Sequence, residues 1–79
     1  MAYTWDKPVK LALPGGGNLQ IRGPFEALAI LTEGWPSMAG RHFIHARTSC
    51  RAALDDRIAP EQARREFVQA VKEANRFLN

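Results

Sequence analysis

Seventy-nine residues, 46% of them hydrophobic and 24% charged, suit one small globular domain spanning 1–79 and argue against a disordered chain. Eleven basic and eight acidic residues give a net charge of +3, a weak pull toward nucleic acid, and a single cysteine excludes a framework of internal disulfides. No apolar run approaches the roughly 20 residues of a membrane span, and residues 1–10 lack the apolar core of a signal peptide, so the expected setting is a reducing cytoplasm.

The chain opens with two strands. Val9, Leu11 and Leu13 alternate with Lys10 and Ala12, and Leu19 and Ile21 alternate with Gln20 and Arg22. A period of two gives each strand one apolar face. Pro14-Gly15-Gly16-Gly17-Asn18 lies between them, and glycines adopt positive φ without steric cost, so a β-hairpin is predicted over about 8–22.

Gly23-Pro24 switches the chain to a helix over about 24–33. Proline suits the first helical position, Glu26 lies near the positive end of the helix dipole, and Ala27, Leu28 and Leu31 share a face. Gly34 reads as a left-handed cap, Trp35 folds back on the last turn, and Pro36 blocks continuation.

A second helix is predicted over about 40–56. Phe43, Ala46, Cys50, Ala53 and Leu54 fall on one face, and Arg41, His45, Thr48 and Ala52 fall opposite. Ile44 points toward the polar side and calls for cover from another element or another chain. The third helix, about 60–77, starts at Pro60-Glu61 and carries an apolar stripe of Ala63, Phe67, Ala70, Val71, Ala74 and Leu78. Its N-cap falls on Ala59, whose side chain accepts no hydrogen bond. The predicted fold is α+β: an N-terminal hairpin followed by three helices. A lone two-stranded hairpin leaves its edges open, and pairing in a homodimer is one natural way to close them.

The landmarks Trp5, Pro8-Val9, Trp35-Pro36, Gly40, Phe43, Ala46, Cys50 and Ala53-Leu54 are followed by Pro60-Glu61, Ala63-Arg64, Phe67 and Glu73-Ala74. In this order and spacing the chain resembles a family of small bacterial proteins, number nine hundred and eighty-two among the domains of unknown function. The resemblance covers nearly the whole chain. It implies one soluble domain and supplies no catalytic residue, substrate or cofactor. Two residues depart from what it leads one to expect: a hydroxyl residue where Ala59 stands, and a phenol where Phe43 stands.

Candidate chemistry is sparse. Cys50 lies on the apolar face and reads as a core cysteine. His42 and His45 are three apart, but no Asp, Glu or Cys nearby in sequence completes a metal site, so no metal and no cofactor is expected. Gly15-Gly16-Gly17 precedes a strand, unlike a phosphate cradle, which precedes a helix. Asp55 and Asp56 diverge by about 100° on a helix and read as a solvated turn. Arg64, beside the apolar stripe, is within reach of a carboxylate or a carbonyl end. Tyr3, Trp5 and Trp35 are candidates for a partner-binding patch, with helix-stop packing as the simpler account of Trp35.

No acidic residue falls between Glu33 and Asp55, a stretch holding Arg41, Arg47 and Arg51, and the third helix adds Arg65, Lys72 and Arg76 on its outer face. Three functions follow. The first is a non-enzymatic module that binds another macromolecule, a protein partner or a second copy of itself, through Ile44 and the strand edges. The second is a nucleic-acid accessory using Arg41, Arg47, Arg51, Arg65 and Arg76. The third is a catalytic or small-molecule domain built on Cys50 and His42. The first is preferred because no catalytic constellation survives.

Overall fold

The computed structural model describes residues 4–12, 16–33, 35 and 38–74. The element order is β1 (Val9–Ala12), β2 (Asn18–Ile21), α1 (Pro24–Glu33), α2 (Arg41–Leu54) and α3 (Pro60–Glu73). This is the predicted hairpin followed by three helices. Leu13, Pro14, Gly15, Gly34, Pro36, Arg76 and Leu78, and the expected last turn of α3, lie outside the described residues, as does Tyr3. Among the described residues no helix is long and apolar enough to cross a membrane.

β1 and β2 pair antiparallel, with Val9 opposite Ile21 and Leu11 opposite Leu19. Opposed residues share a face of the sheet, so these four point toward the helices. Gly16 and Gly17 hold φ of 98° and 87°, the conformation that requires glycine in the turn. Val9, Leu11 and Ile21 are buried, whereas Leu19 is 38% exposed. The apolar face predicted for the second strand is therefore only partly covered: Leu11 on β1 is buried, while Leu19 directly across from it on β2 is left open.

The helices form as their punctuation predicts. At the start of α1, Ala27 N–H donates to Gly23 O, and the Glu26 carboxylate accepts from the Arg22 N–H at 2.8 Å. α2 stops at Leu54, two residues before the predicted limit. Asp56 takes a positive φ of 62°, its N–H donates to Ala53 O, and Arg57 N–H donates to Ala52 O. This is a Schellman reversal with aspartate where glycine is usual, tolerated because a short polar side chain suits the left-handed region.

The core gathers one stripe from each helix: Ala27 and Leu31 from α1, Phe43, Ala46, Cys50 and Ala53 from α2, and Ala63, Phe67, Ala70 and Val71 from α3. α2 packs chiefly on α3, and the small alanines let the helices approach closely. Phe67 is fully buried, with the Trp5 and Trp35 rings each 5.8 Å from it. The segment ahead of β1 is stitched to the start of α3: Trp5 Nε1–H donates to Pro60 O at 2.8 Å, and Arg64 Nε–H donates to Lys7 O at 2.8 Å. Asp6 N–H also donates to the Glu61 carboxylate, at 3.4 Å.

The N-terminus of α2 has an unusual cap. Gly40 has no side chain to offer, and the first turn holds no acidic residue. Glu73, at the end of α3, takes that role: its carboxylate accepts from His42 N–H and from Phe43 N–H, both at 3.1 Å. These are the second and third helical positions, the N–H groups that a capping side chain normally satisfies. A Cβ on residue 40 would meet the Glu73 carboxylate, with Cδ at 2.6 Å. Glycine here leaves room for the Glu73 cap, which a larger residue would displace, and is not required by its φ of −67°.

Two predictions follow from these caps. The N-cap of α3 is Ala59 with no side-chain hydrogen bond, as the sequence suggests. Ala59→Ser is expected to raise stability by about 0.5–2 kcal/mol in urea melts, by accepting an orphan N–H of the first turn. The second concerns acid. The His42 N–H bond, with the Phe43 N–H and the charges of His42 and Arg41, holds the Glu73 carboxyl below its ordinary value, against a smaller opposing effect of burial. A lowered folded value gives stability that is complete above the ordinary value of 4.5 and drains as pH falls through the folded one. Glu73→Gln is therefore expected to be less stable than wild type at pH 7, with the gap narrowing on acidification below pH 4.5. A gap that stays constant from pH 7 to acid would remove the charged cap from the account.

Candidate interaction surface

Two sets of side chains reach the surface with more apolar area than solvent favours. The first lies between β2 and α1. Phe25 is 71% exposed and Leu19 38% exposed, and with Ile21, Ala29 and Ile30 they line an open groove of about 410 Å³. Glu26 and Glu33 form its acidic rim, and Gln20 its strand side. A second, shallower hollow of about 200 Å³ lies on the other side of Phe25, against Leu28, Ala29 and Thr32. Phe25 therefore stands between two hollows.

The sequence contains the signal for this surface. α1 needs only Ala27, Leu28 and Leu31 for its core stripe, yet it also carries Phe25, Ala29 and Ile30. Phe25 lies roughly a third of a turn from the centre of that stripe, beyond its Leu28 edge, and its ring is left exposed. The predicted sites include Ile44 and the strand edges but omit Phe25, because the Ala27-Leu28-Leu31 stripe marks only the buried face of the first helix.

The second set is on α2. Ile44 is 44% exposed, and Arg41, Arg47 and Arg51 are exposed on the same helix. Arg47 is not a free cation in space: its guanidinium lies over the Phe43 ring, 5.4 Å from the centroid. Arg65 is exposed on α3, half a turn from the stripe that packs inward. The structure thus places Arg41 and Arg51 around Ile44 and puts Arg65 on a different face. Arg64 holds Lys7 O and is accounted for by the fold. Trp5 and Trp35 are buried on Phe67, which removes them from any surface patch.

Cys50 is fully buried, and burial pushes its thiol up to about 12. The grooves described above are lined by β2 and α1, not by Cys50. This is the environment of a packing residue: a nucleophilic thiol needs an accessible, electropositive site that favours the thiolate.

The hairpin followed by three helices defines a small ββααα domain of the α+β class. The chain belongs to the family described as protein of unknown function DUF982, which it matches over residues 7–77. It is also similar to the NMR structure of Agrobacterium tumefaciens protein Atu1219, with 34% identity and a TM-score of 0.80. That alignment covers 98% of this chain and 77% of the other. No curated protein matches this chain.

The state of Cys50 is directly measurable. At pH 8 the native thiol is expected to react with iodoacetamide about a thousandfold more slowly than an ordinary cysteine, from its thiolate fraction alone. Full reactivity should return in denaturant. Rapid labelling of the folded protein would restore Cys50 as a nucleophile.

Proposed function

We propose that this protein is a non-enzymatic interaction module that self-associates, two copies pairing β2 against β2 across a two-fold axis. The observation that carries this reading is the outer edge of β2. Among the described residues the sheet has two strands, and no third strand lies beside β2. Asn18, Leu19 and Gln20 are exposed, and the strand Asn18-Leu19-Gln20-Ile21 contains neither charge nor proline. Free edges normally carry such residues to discourage pairing. β1 does: Lys10 lies within it and Pro8 just ahead of it.

Antiparallel self-pairing is self-complementary, so one patch meets its own copy and the assembly closes at two. It would bring Leu19 and Phe25 of each copy to the seam and turn a marginal two-stranded sheet into a four-stranded one. A standard interface takes about 800 Å² from each partner. That is roughly one-sixth of this chain's 5069 Å² surface. The contact must therefore extend from the strand across Phe25 and Ala29. Glu26 and Glu33 remain at the rim, where solvent screens them. The absence of an enzymatic role is part of the proposal, supported by the burial of Cys50, and a reducing compartment suits its single thiol.

Light scattering on nuclease-treated protein tests this. A dimer is expected at roughly 100 µM and above, unchanged between low and high salt, since the seam is apolar. Leu19→Lys and Phe25→Glu should each yield monomer with unaltered circular dichroism. A monomer at about 500 µM sinks the proposal. So does a complex that forms only with nucleic acid and dissolves with salt, which would transfer the function to Arg41 and Arg51.

A further inference from the structure

The α2–α3 seam brings two histidines of α2 together with a carboxylate that is distant in sequence. His42 and His45 lie three residues apart on α2, a spacing that lets both rings face one point. Glu66 stands on α3 beside the buried Phe67. One ligand atom from each of the three lies within 4.8 Å of the other two. The imidazole rings meet edge to face, with centroids 6.4 Å apart and planes at 81°. His42 and Glu66 are half-buried, and His45 is exposed.

His42 Nδ1 is buried and has no hydrogen-bond partner. A buried polar atom left unmatched is costly, and native structures hold few of them. The His42 ring has a second imidazole and a carboxylate as its neighbours in this cluster. The backbone N–H of the same residue is already engaged by Glu73, which fixes the start of α2 and with it the place from which the ring projects.

We propose that His42, His45 and Glu66 form a binding site for a zinc-class divalent transition-metal ion, bridging α2 to α3. Two imidazoles and a carboxylate are a donor set of borderline softness, suited to zinc and poorly suited to magnesium or calcium, which take oxygen ligands. Ligands about 2.0–2.2 Å from a tetrahedral ion stand roughly 3.3–3.6 Å apart, so the three side chains close in by about 1 Å on binding. Either ring nitrogen of a histidine can bind a metal, and coordination of His42 through Nδ1 is the mode that would give the orphaned nitrogen its partner. Exposure of His45 leaves the fourth position to water. Pairing along the sequence misses this site because its third ligand is 21 positions beyond His45 and arrives only with the packing of α3.

Zinc chloride titrated calorimetrically into chelator-treated full-length protein is the test. One ion per chain is expected, with a Kd of about 10 µM or below. At zinc tenfold above that Kd, Tm should rise by about 5–10 °C, because the ion ties two helices that separate on unfolding. Magnesium chloride should give neither heat nor a shift. His45→Ala and Glu66→Gln should each weaken zinc binding by about tenfold or more while keeping the circular dichroism of wild type. In wild-type protein, zinc should move the imidazole 1H–15N resonances of His42 and His45 together, a readout that needs no variant. No heat with 100 µM zinc, on the order of tenfold over the expected Kd, refutes the site. Wild-type affinity in both variants, or resonance shifts elsewhere in the chain, refutes it as well.

Discussion

Phe67 lies between two tryptophans supplied by different segments of the chain. Trp5 comes from ahead of β1, and Trp35 from between α1 and α2, each with its ring 5.8 Å away. The tilts of 37° and 48° avoid face-to-face repulsion between the π clouds. Burying one such ring stabilises a fold by about 1.5–3 kcal/mol, a large share of the margin in a domain this small. The contact also makes the hairpin part of the same body as the helices. Without it, a two-stranded sheet would be marginal.

Hydrogen bonds fix the angle at which that packing occurs. Trp5 cannot bury its indole N–H without a partner, and Pro60 O supplies one at 2.8 Å. That carbonyl belongs to the first turn of α3, where Glu61 and Arg64 hold the backbone of Asp6 and Lys7. The opposite end of α3 carries Glu73, which caps α2. One helix therefore organises both its neighbours: its start positions the hairpin, its middle fills the core, and its end completes the next helix. Glu61 and Glu73 look like surface charges in sequence, yet both are backbone ligands in the fold.

These constraints leave the proposed interaction surface where the core does not need residues. The inward stripe of α1 consumes Ala27 and Leu31 and leaves Phe25 outside. The core covers Val9, Leu11 and Ile21 of the hairpin and leaves Leu19 half open on β2. An uncharged strand edge beside a bare aromatic ring is the geometry on which the proposed self-association rests. The histidines at the α2–α3 rim are a separate feature with different chemistry. The arginines, in contrast, are divided: Arg47 covers Phe43, Arg64 binds Lys7 O, and Arg65 faces away from α2.

Periodicity and punctuation made the architecture legible. Alternation over 9–13 and 19–22 placed the strands, which form at Val9–Ala12 and Asn18–Ile21, Pro24 and Pro60 started helices, and the 3.6-residue spacing of Phe43, Ala46, Cys50 and Ala53 marked one buried face. Such features depend on the backbone geometry of a few neighbouring residues, so sequence by itself determined them. It also determined that Cys50 would be core and that Ala59 would leave its helix uncapped. Only the tertiary structure decided that Gly40 makes room for Glu73, that Glu66 joins His42 and His45, and that Leu19 and Phe25 share a groove. Each pairs residues from different elements. Their meeting depends on how helices cross and where strands end, which is set by the packing of the whole core rather than by any local run of residues.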